Sequence, residues 1–204
     1  SSLFVVVLIT SAGSAVGIIC GYCGGVVDNI LMRIADIFLA FPGIVFAIAV
    51  ASVLSGGITS AVIAVAAVSW PKYARLARSE GLSVCASDYI KAARMSGMSE
   101  FGIIIKHIIP NIAGIIVTTA LLDIGHMMME IAGLSFLGLG AAPPAAEWGA
   151  MMSNGRSMLQ TAPWIILAPG VAIFVSVLIF NMFGESVKTR WNKNNRRTGY
   201  AGRQ

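Results

Sequence analysis

The chain has 204 residues, of which 57% are hydrophobic and 11% are charged, and its mean hydropathy is +0.83. A soluble domain carries about 25% charged residues and could not bury this much apolar surface. Disorder is also excluded, because disordered chains combine low hydrophobicity with high charge. The composition therefore indicates a membrane protein that crosses the bilayer several times.

Five apolar stretches are predicted to span the membrane as helices. Most approach the roughly 20 residues that a helix needs to cross about 30 Å of hydrocarbon. In chain order they are Leu3–Cys20, Ile34–Leu54, Ile58–Trp70, Pro110–Gly133 and Trp164–Gly184. The third is short, so it crosses the bilayer only if its helix continues through Lys72–Arg78.

The basic residues are distributed asymmetrically. All of them except Arg156 fall in three segments, Gly21–Arg33, Pro71–Ile109 and Glu185–Gln204, which lie on one side if the five spans alternate. The positive-inside rule places this side in the cytoplasm, with the N-terminus outside and the C-terminus inside. This location accounts for the net charge of +5 without a nucleic-acid partner. Ser135–Pro163 is then external, either at the interface or re-entrant against protein.

Two features near the start of the chain are less informative. The sequence opens directly in an apolar run without Met or a basic region, so we expect an upstream segment. Cys20 and Cys23 have the spacing of a redox or metal pair, but no second pair accompanies them. We interpret them as small residues near a helix end.

The segment 83–111 contains a predicted short helix between two spans. Ser87 or Asp88 can cap its start, and Gly97 can end it in the left-handed conformation. Ser99 with Glu100 can open the next helix. The small and apolar residues between these caps fit either a solvated loop helix or a helix that docks against another protein.

The motifs of this segment resemble a known family. Lys91-Ala92-Ala93, Gly97 four residues later, and His107-Ile-Ile-Pro110 are similar to the Glu-Ala-Ala loop of ABC-importer permeases. The resemblance implies a coupling helix that sits in a cleft of the ATP-hydrolysing subunit. It assigns the coupling role to Tyr89, Lys91, Ala92, Ala93, Gly97 and Pro110. Lys91 departs from the pattern, since the family usually has Glu there.

Two further blocks resemble the oligopeptide, dipeptide and nickel branch of these permeases. One is Gly24-Gly-Val-Val-Asp28 with Phe41-Pro42, and the other is Leu134-Ser-Phe-Leu-Gly-Leu-Gly140 followed by Glu147-Trp148-Gly149. The resemblance implies an all-α, polytopic bundle with the type I importer fold, in which residues 1–204 form one permease domain of the C-type. Permeases of this branch usually have six spans, so the first span is expected upstream.

The resemblance also implies the assembly. Its partners would be a second permease, two ATPases that bind ATP and Mg²⁺, an external binding protein and membrane lipid, in the bacterial inner membrane. This chain has no phosphate-binding Gly-x-x-x-x-Gly-Lys-Ser/Thr motif, so ATP hydrolysis is expected in the partners and no cofactor or enzymatic activity in this subunit.

The fourth span carries a stripe of polar side chains. Asp123, His126, Met127 and Glu130 fall within about a third of the helix circumference at about 100° per residue. Their carboxylate, imidazole and thioether groups suit a borderline metal such as Ni²⁺ or Co²⁺. Alternatively, Asp123 and His126 pair with each other, Glu130 hydrogen-bonds the partner permease, and Met127–Met129 are flexible packing.

The similarity of Leu122-Asp-Ile-Gly-His-Met-Met to nickel-type permeases favours a nickel pathway. Short peptides rank next, and a metal chelate would not require the stripe as ligands. A secondary transporter that uses the stripe as a relay would show inverted repeats, and none is evident. A membrane enzyme is disfavoured because the His-Glu-x-x-His and Gly-x-Ser-x-Gly motifs are missing from the sequence.

Overall fold

The computed structural model describes the backbone of residues 2–141 and 144–201, and the side chains of these residues except Cys23 and residues 191–201. This part of the chain is helical and contains no strand, which confirms the all-α prediction. Its elements are α1 (Ser2–Cys23), α2 (Gly25–Ala40), α3 (Gly43–Val53), α4 (Ile58–Cys85), α5 (Asp88–Met95), α6 (Glu100–Ile103), a π-helical turn (Ile104–Ile108), α7 (Ile109–Phe136), α8 (Trp148–Asn154), a 3₁₀ turn (Gly155–Met158) and α9 (Trp164–Ala201).

Helices α1 and α4 run parallel and form the tightest contact of the bundle. A methyl group added to Gly13 would lie 2.7 Å from the Trp70 carbonyl oxygen, and one added to Gly21 would lie 3.2 Å from the Arg78 carbonyl oxygen. Gly17, one turn from each of these glycines, contacts the turn of α4 between them. Glycines at every fourth position expose the backbone along one helix face, so a neighbouring helix can approach closely.

The third predicted span does continue through its basic residues. Helix α4 has 28 residues and a length of about 42 Å at 1.5 Å per residue, which suffices to cross the hydrocarbon. Its apolar half and much of its basic half are buried against other helices. Lys72, Arg75 and Arg78 are all ion-paired to neighbouring helices, so their charges are compensated within the protein.

The second predicted span is not one continuous helix. It consists of α2 and α3, whose axes differ by 97°. The break falls at Phe41 and Pro42, where Phe41 is extended (φ −96°, ψ 147°). Proline disfavours the helical conformation of the residue before it, and its own nitrogen cannot donate a hydrogen bond, so the helix stops there.

Helices α7 and α9 complete the bundle. They are antiparallel, since methyl groups added to Gly125 and Gly184 would lie 3.1 Å and 2.8 Å from side-chain atoms of Val177 and Leu122. In the described residues, three helical segments are long and apolar enough to span a membrane, and the bent α2–α3 pair is a possible fourth. Helix α4 is too polar to qualify by composition, although it runs alongside α1.

The segment Ser135–Pro163 packs against protein where the structure describes it. Gly149 at the start of α8 contacts the backbone of Ala132 on α7. The Arg156 guanidinium lies 3.8 Å from the centre of the Phe136 ring, a cation–π contact. The protein-packed alternative of the sequence analysis therefore describes α8 correctly.

Candidate functional site

Helix α5 has the boundaries that the sequence predicted, but no side chain caps its start, and the Ser87 hydroxyl donates instead to the Val84 carbonyl. Ser87 precedes it in an extended conformation, and Gly97 follows it with φ of 81°. The Met98 amide donates to the Ala93 carbonyl at 3.2 Å and the Gly97 amide donates to the Arg94 carbonyl at 3.0 Å. These two bonds form a Schellman motif, which needs a left-handed residue at Gly97. The next helix begins as predicted, because the Ser99 hydroxyl accepts the Gly102 amide at 3.2 Å.

One side chain anchors α5 to the bundle, and most of the others face outward. Ile90 is completely buried in a cluster with Ala77 of α4 and several isoleucines that precede or lie on α7. Tyr89, Ala92 and Met95 are exposed, and Met95 is 90% exposed. We call these three residues the docking face of α5. It combines small and apolar side chains, which suits contact with another protein surface.

The flanks of α5 are held by contacts with α1 and α7. The Tyr89 hydroxyl accepts a hydrogen bond from Asn111 Nδ2 at 3.1 Å, and its ring meets His107 edge-on. Arg94 pairs with Glu100 at 3.4 Å and lies 6.0 Å from the Tyr22 ring centre. The orientation of the docking face is therefore fixed relative to both spans.

The other predicted coupling residues have distinct surroundings. Lys91 is exposed, and its Nζ lies 2.8 Å from Asp88 Oδ1 on the same helix. Lys91 therefore makes a contact within α5, in place of the contact that the family's Glu would make. Ala93 is half-buried. Pro110 is exposed in the first turn of α7, after the π-helical turn in which the Ile109 amide donates to the Ile104 carbonyl. Since Pro110 has no amide hydrogen, it cannot continue the α-helical ladder at this point.

The stripe on α7 is divided between different partners. Asp123 is 7% exposed. Its two carboxylate oxygens accept hydrogen bonds from Lys72 Nζ at 2.6 and 2.7 Å, and Oδ2 also accepts one from the Tyr73 hydroxyl at 2.9 Å. This aspartate is therefore the counter-ion of a lysine on α4, and it does not pair with His126 as one alternative had it. A carboxylate that already accepts three bonds from protein donors has little capacity left for a metal ion.

Of the remaining three stripe residues, Met127 lies apart from His126 and Glu130, which contact each other. Met127 is 1% exposed and lies in the core, with its sulfur 3.9 Å from the Ser69 hydroxyl. The His126 side chain is 64% exposed and its Nε2 lies 3.3 Å from Glu130 Oε1. Within the described residues, no group of three or more His, Cys, Asp or Glu side chains could hold a metal ion. The predicted roles of these residues in a pathway stay predictions.

Sequence reasoning missed the ion pairs that hold α2 to α4. Arg78 forms a fork on Asp28, with Nε and Nη2 each 2.5 Å from a carboxylate oxygen. Asp36 pairs with Arg75 of α4, so an i, i+3 pair with Arg33 of its own helix is not formed. The basic residues at 72, 75 and 78 recur about every helical turn, which indicates that they share one face of the helix. This spacing does not predict which acidic residues pair with them.

Two further predictions touch residues outside the description. Cys20 is buried, whereas the side chain of Cys23 lies outside the described residues. In the basic tail, the side chains of Lys193, Arg196, Arg197 and Arg203 are likewise outside them. The interpretation of the cysteine pair and the cytoplasmic position of the basic tail therefore stay predictions.

Comparison with known proteins gives the class. Residues 13–193 match the family described as binding-protein-dependent transport system inner membrane component, and the chain belongs to this family. A solved structure of the MetNI methionine ABC transporter in inward-facing conformations has the same fold, with a TM-score of 0.64, 18% identity and coverage of 93% of this chain and 94% of that one. The predicted type I importer permease fold is thereby confirmed.

Individual relatives place the chain in the peptide and nickel branch. It is 43% identical over 86% of its length to a dipeptide transport permease, DppC, of Alkalihalophilus pseudofirmus. It is 40% identical over 92% to a glutathione transport permease, GsiD, of Pectobacterium atrosepticum, and 38% identical over 89% to a nickel transport permease, NikC, of Escherichia coli. The matched regions cover 58%, 62% and 65% of these relatives, so the chain spans less than two thirds of their length.

Proposed function

We propose that this chain is one of two permease subunits that form the membrane path of an ATP-driven importer. The partners are a second permease, two ATPases that bind ATP and Mg²⁺, an external binding protein and lipid of the bacterial inner membrane. The chain itself hydrolyses nothing. In this arrangement its N-terminus is outside and its C-terminus is cytoplasmic, as the distribution of basic residues predicts.

The observation that carries this proposal is the geometry of α5. A helix of eight residues is anchored by Ile90, ended by a Schellman motif and braced against α1 and α7, while its docking face stays exposed. It lies at the end of the bundle where α4 carries its basic residues. A rigid helix with an exposed apolar face can transmit a movement of a bound ATPase subunit to the spans that it contacts.

The substrate we favour is a short peptide or a similar organic solute. Free nickel was the first expectation from the sequence, but Asp123 is neutralised by Lys72 and Met127 is buried. The described residues offer no three-residue ligand group, and an octahedral or tetrahedral metal site needs at least that many donors. Relatives that transport dipeptides and glutathione support this substrate class.

Nickel transport is the second candidate, and the 38% identity to a nickel permease over 181 residues favours it. His126 is exposed and its Nε2 lies 3.3 Å from Glu130 Oε1, while the other oxygen of Glu130 is buried without a hydrogen-bond partner. A partner permease could add ligands there, or the metal could pass as a chelate. Uptake of a labelled dipeptide and of radioactive nickel by cells that lack and then regain this subunit distinguishes the two substrates.

The coupling role is tested by replacing Gly97 with Leu. The left-handed conformation at this position costs a non-glycine residue about 1–2 kcal/mol, so the end of α5 should shift and displace the docking face. We expect at least a fivefold fall in uptake and in substrate-stimulated ATP hydrolysis, with normal membrane insertion.

Gly138→Leu is the matched control. Gly138 has φ of 82°, open surroundings and the same Schellman hydrogen bonds as Gly97, but it follows α7 at the opposite end of the bundle. Its replacement should carry a similar strain and leave coupling intact. Equal losses in the two variants, or normal coupling in Gly97→Leu, would contradict the docking role.

A further inference from the structure

A small cavity lies between α7, α8 and α9 at the end of the bundle opposite α5. Its volume is about 260 Å³. Met128 and Ile131 of α7 form one wall, and Glu147, Trp148 and Met151 form another. This volume is just below the range of about 300–1,000 Å³ that accommodates small molecules, so the cavity has room for one end of a ligand.

Glu147 supplies the charge of this cavity. Its Oε2 atom is buried without a hydrogen-bond partner. Burial raises the pKa of Glu147 above its ordinary value, and the nearby Ser135 hydroxyl opposes this effect. A buried carboxylate oxygen without a donor is costly, and a cation placed against it would remove that cost.

No cation of the described chain fills this role. The ion pairs among the described side chains do not include Glu147. Arg156, the basic residue of the same external segment, lies over the Phe136 ring instead. The carboxylate is therefore available to a cation that enters from outside the chain.

The surrounding side chains select the kind of cation. The indole face of Trp148 attracts an ammonium group through its quadrupole. The thioethers of Met128 and Met151 pack well against apolar groups. A divalent metal would need several oxygen or nitrogen donors, whereas Glu147 is the one carboxylate of the cavity wall. The space around it also exceeds that of a bare ion. These properties fit an organic ammonium with a short apolar group attached.

We propose that this cavity binds the ammonium end of a peptide-like solute, with Glu147 as its counter-ion and Trp148 against its face. The inference rests on the proposed function, because that function supplies the solute and the direction of entry. The cavity lies beside the C-terminal end of α7, on the side that the predicted orientation places outside. It would receive the solute before the stripe at Asp123 to Glu130.

The test is a titration of the assembled transporter, purified in lipid nanodiscs without its binding protein. Tryptophan fluorescence is followed on addition of the dipeptide Ala-Ala, of N-acetyl-Ala-Ala or of NiCl₂. A Trp148→Phe variant identifies the signal from this cavity. We expect saturable quenching by Ala-Ala, none by the acetylated peptide, and at least a tenfold weaker affinity for Ala-Ala in Glu147→Gln.

Glu185→Gln is the matched control, because Glu185 is exposed on α9 and lies outside the cavity. It should bind Ala-Ala like the unaltered transporter. Glu147→Asp keeps the charge and should recover part of the affinity. If Glu147→Gln does not assemble, the comparison of free and acetylated peptide on the unaltered transporter still decides the question.

Three results would overturn the proposal: equal affinities of Glu147→Gln and the unaltered transporter, equal binding of the acetylated peptide, or quenching by NiCl₂ that Glu147→Gln abolishes. The last result would assign the cavity to a metal. ATP-driven uptake of Ala-Ala is measured separately, after the same transporter has been reconstituted into closed lipid vesicles together with its binding protein. Uptake without Glu147-dependent binding refutes this inference alone, and binding without ATP-driven uptake refutes the proposed function.

Discussion

Helices α4 and α9 differ in their composition and in how much of their surface is buried within the chain. Helix α9 contains a long apolar stretch, of which only 6% is buried within the described chain. Helix α4 is too polar to qualify as a span by composition, and yet it occupies the centre of the bundle. Its basic residues at 72, 75 and 78 are paired with Asp123, Asp36 and Asp28 of neighbouring helices.

The difference shows that apolar composition identifies helices that have few contacts within the chain and underestimates helices that other helices of the chain surround. A charge on a lipid-facing helix has no partner and must be dehydrated. A charge on a central helix can be paired across an interhelical contact, so its cost is partly offset by the pairing. A membrane helix can therefore carry more charged residues when more of its surface contacts other helices.

The largest expected effect tests the lipid-facing side of this comparison. Phe174 lies near the middle of the apolar part of α9 and is 62% exposed. Phe174→Lys places an unpaired ammonium at that depth, which costs about 2.5–3.5 kcal/mol on insertion scales. We expect a large loss of membrane-inserted protein, measured by protease protection of a C-terminal tag. Normal insertion would mean that this face of α9 borders a polar cavity or a partner.

A smaller effect is expected when the pairing on α4 is broken. Lys72→Met leaves the buried Asp123 carboxylate with the Tyr73 hydroxyl as its remaining donor among the bonds described above. Loss of one partner from a fully buried pair costs about 3–5 kcal/mol, and we expect about 2 kcal/mol here because the Lys72 side chain is 49% exposed. The thermal unfolding midpoint of the purified complex measures the loss.

The double variant Lys72→Met/Asp123→Asn is the control for this prediction. It removes both charges and should recover most of the midpoint, since no unpaired charge is left inside the bundle. A double variant as unstable as the single one would show that the pair does not hold α4 to α7.

The smallest effect is expected from an apolar exchange on α9. Phe174→Leu keeps the surface apolar, so stability should change by less than about 0.5 kcal/mol, as at exposed sites generally. The same unfolding midpoint reports it. A clear loss would indicate that the second permease or another protein contacts Phe174, and α9 would then resemble α4 more than this comparison assumes.

Local signals in the sequence were sufficient for α5. Gly97 and Ser99 each act through the backbone of their own turn, so their chemistry fixes where α5 ends and where the next helix begins. The bend between α2 and α3 was equally readable, because Pro42 dictates the conformation of Phe41 whatever surrounds it. That bend was nevertheless predicted as part of one span, since hydropathy alone was followed there.

The packing of α1 on α4 was also present in the sequence and was not recognised. Gly13, Gly17 and Gly21 recur at every fourth position, the spacing by which small residues allow membrane helices to approach. That spacing predicts a close contact on one face of α1. It does not say which helix fills the face.

The α7 stripe shows what spacing cannot supply. Asp123, His126, Met127 and Glu130 do share one sector of the helix, but that sector meets α4 on one edge and an open surface on the other. Asp123 consequently forms an ion pair with Lys72, and Met127 packs in the core. The partner helix determines the role of each side chain, and its position depends on contacts far apart in the sequence.

By itself, the sequence determined the helical class, the position of the short helix α5 and the family to which the chain belongs. These depend on backbone chemistry and on the free energy of moving side chains from water to hydrocarbon, both of which act locally. The tertiary structure decided that α4 is central, which acid pairs with each of its basic residues at 72, 75 and 78, and that the Oε2 atom of Glu147 is buried without a cation. Such pairings depend on which helices meet, and composition and spacing do not encode that choice.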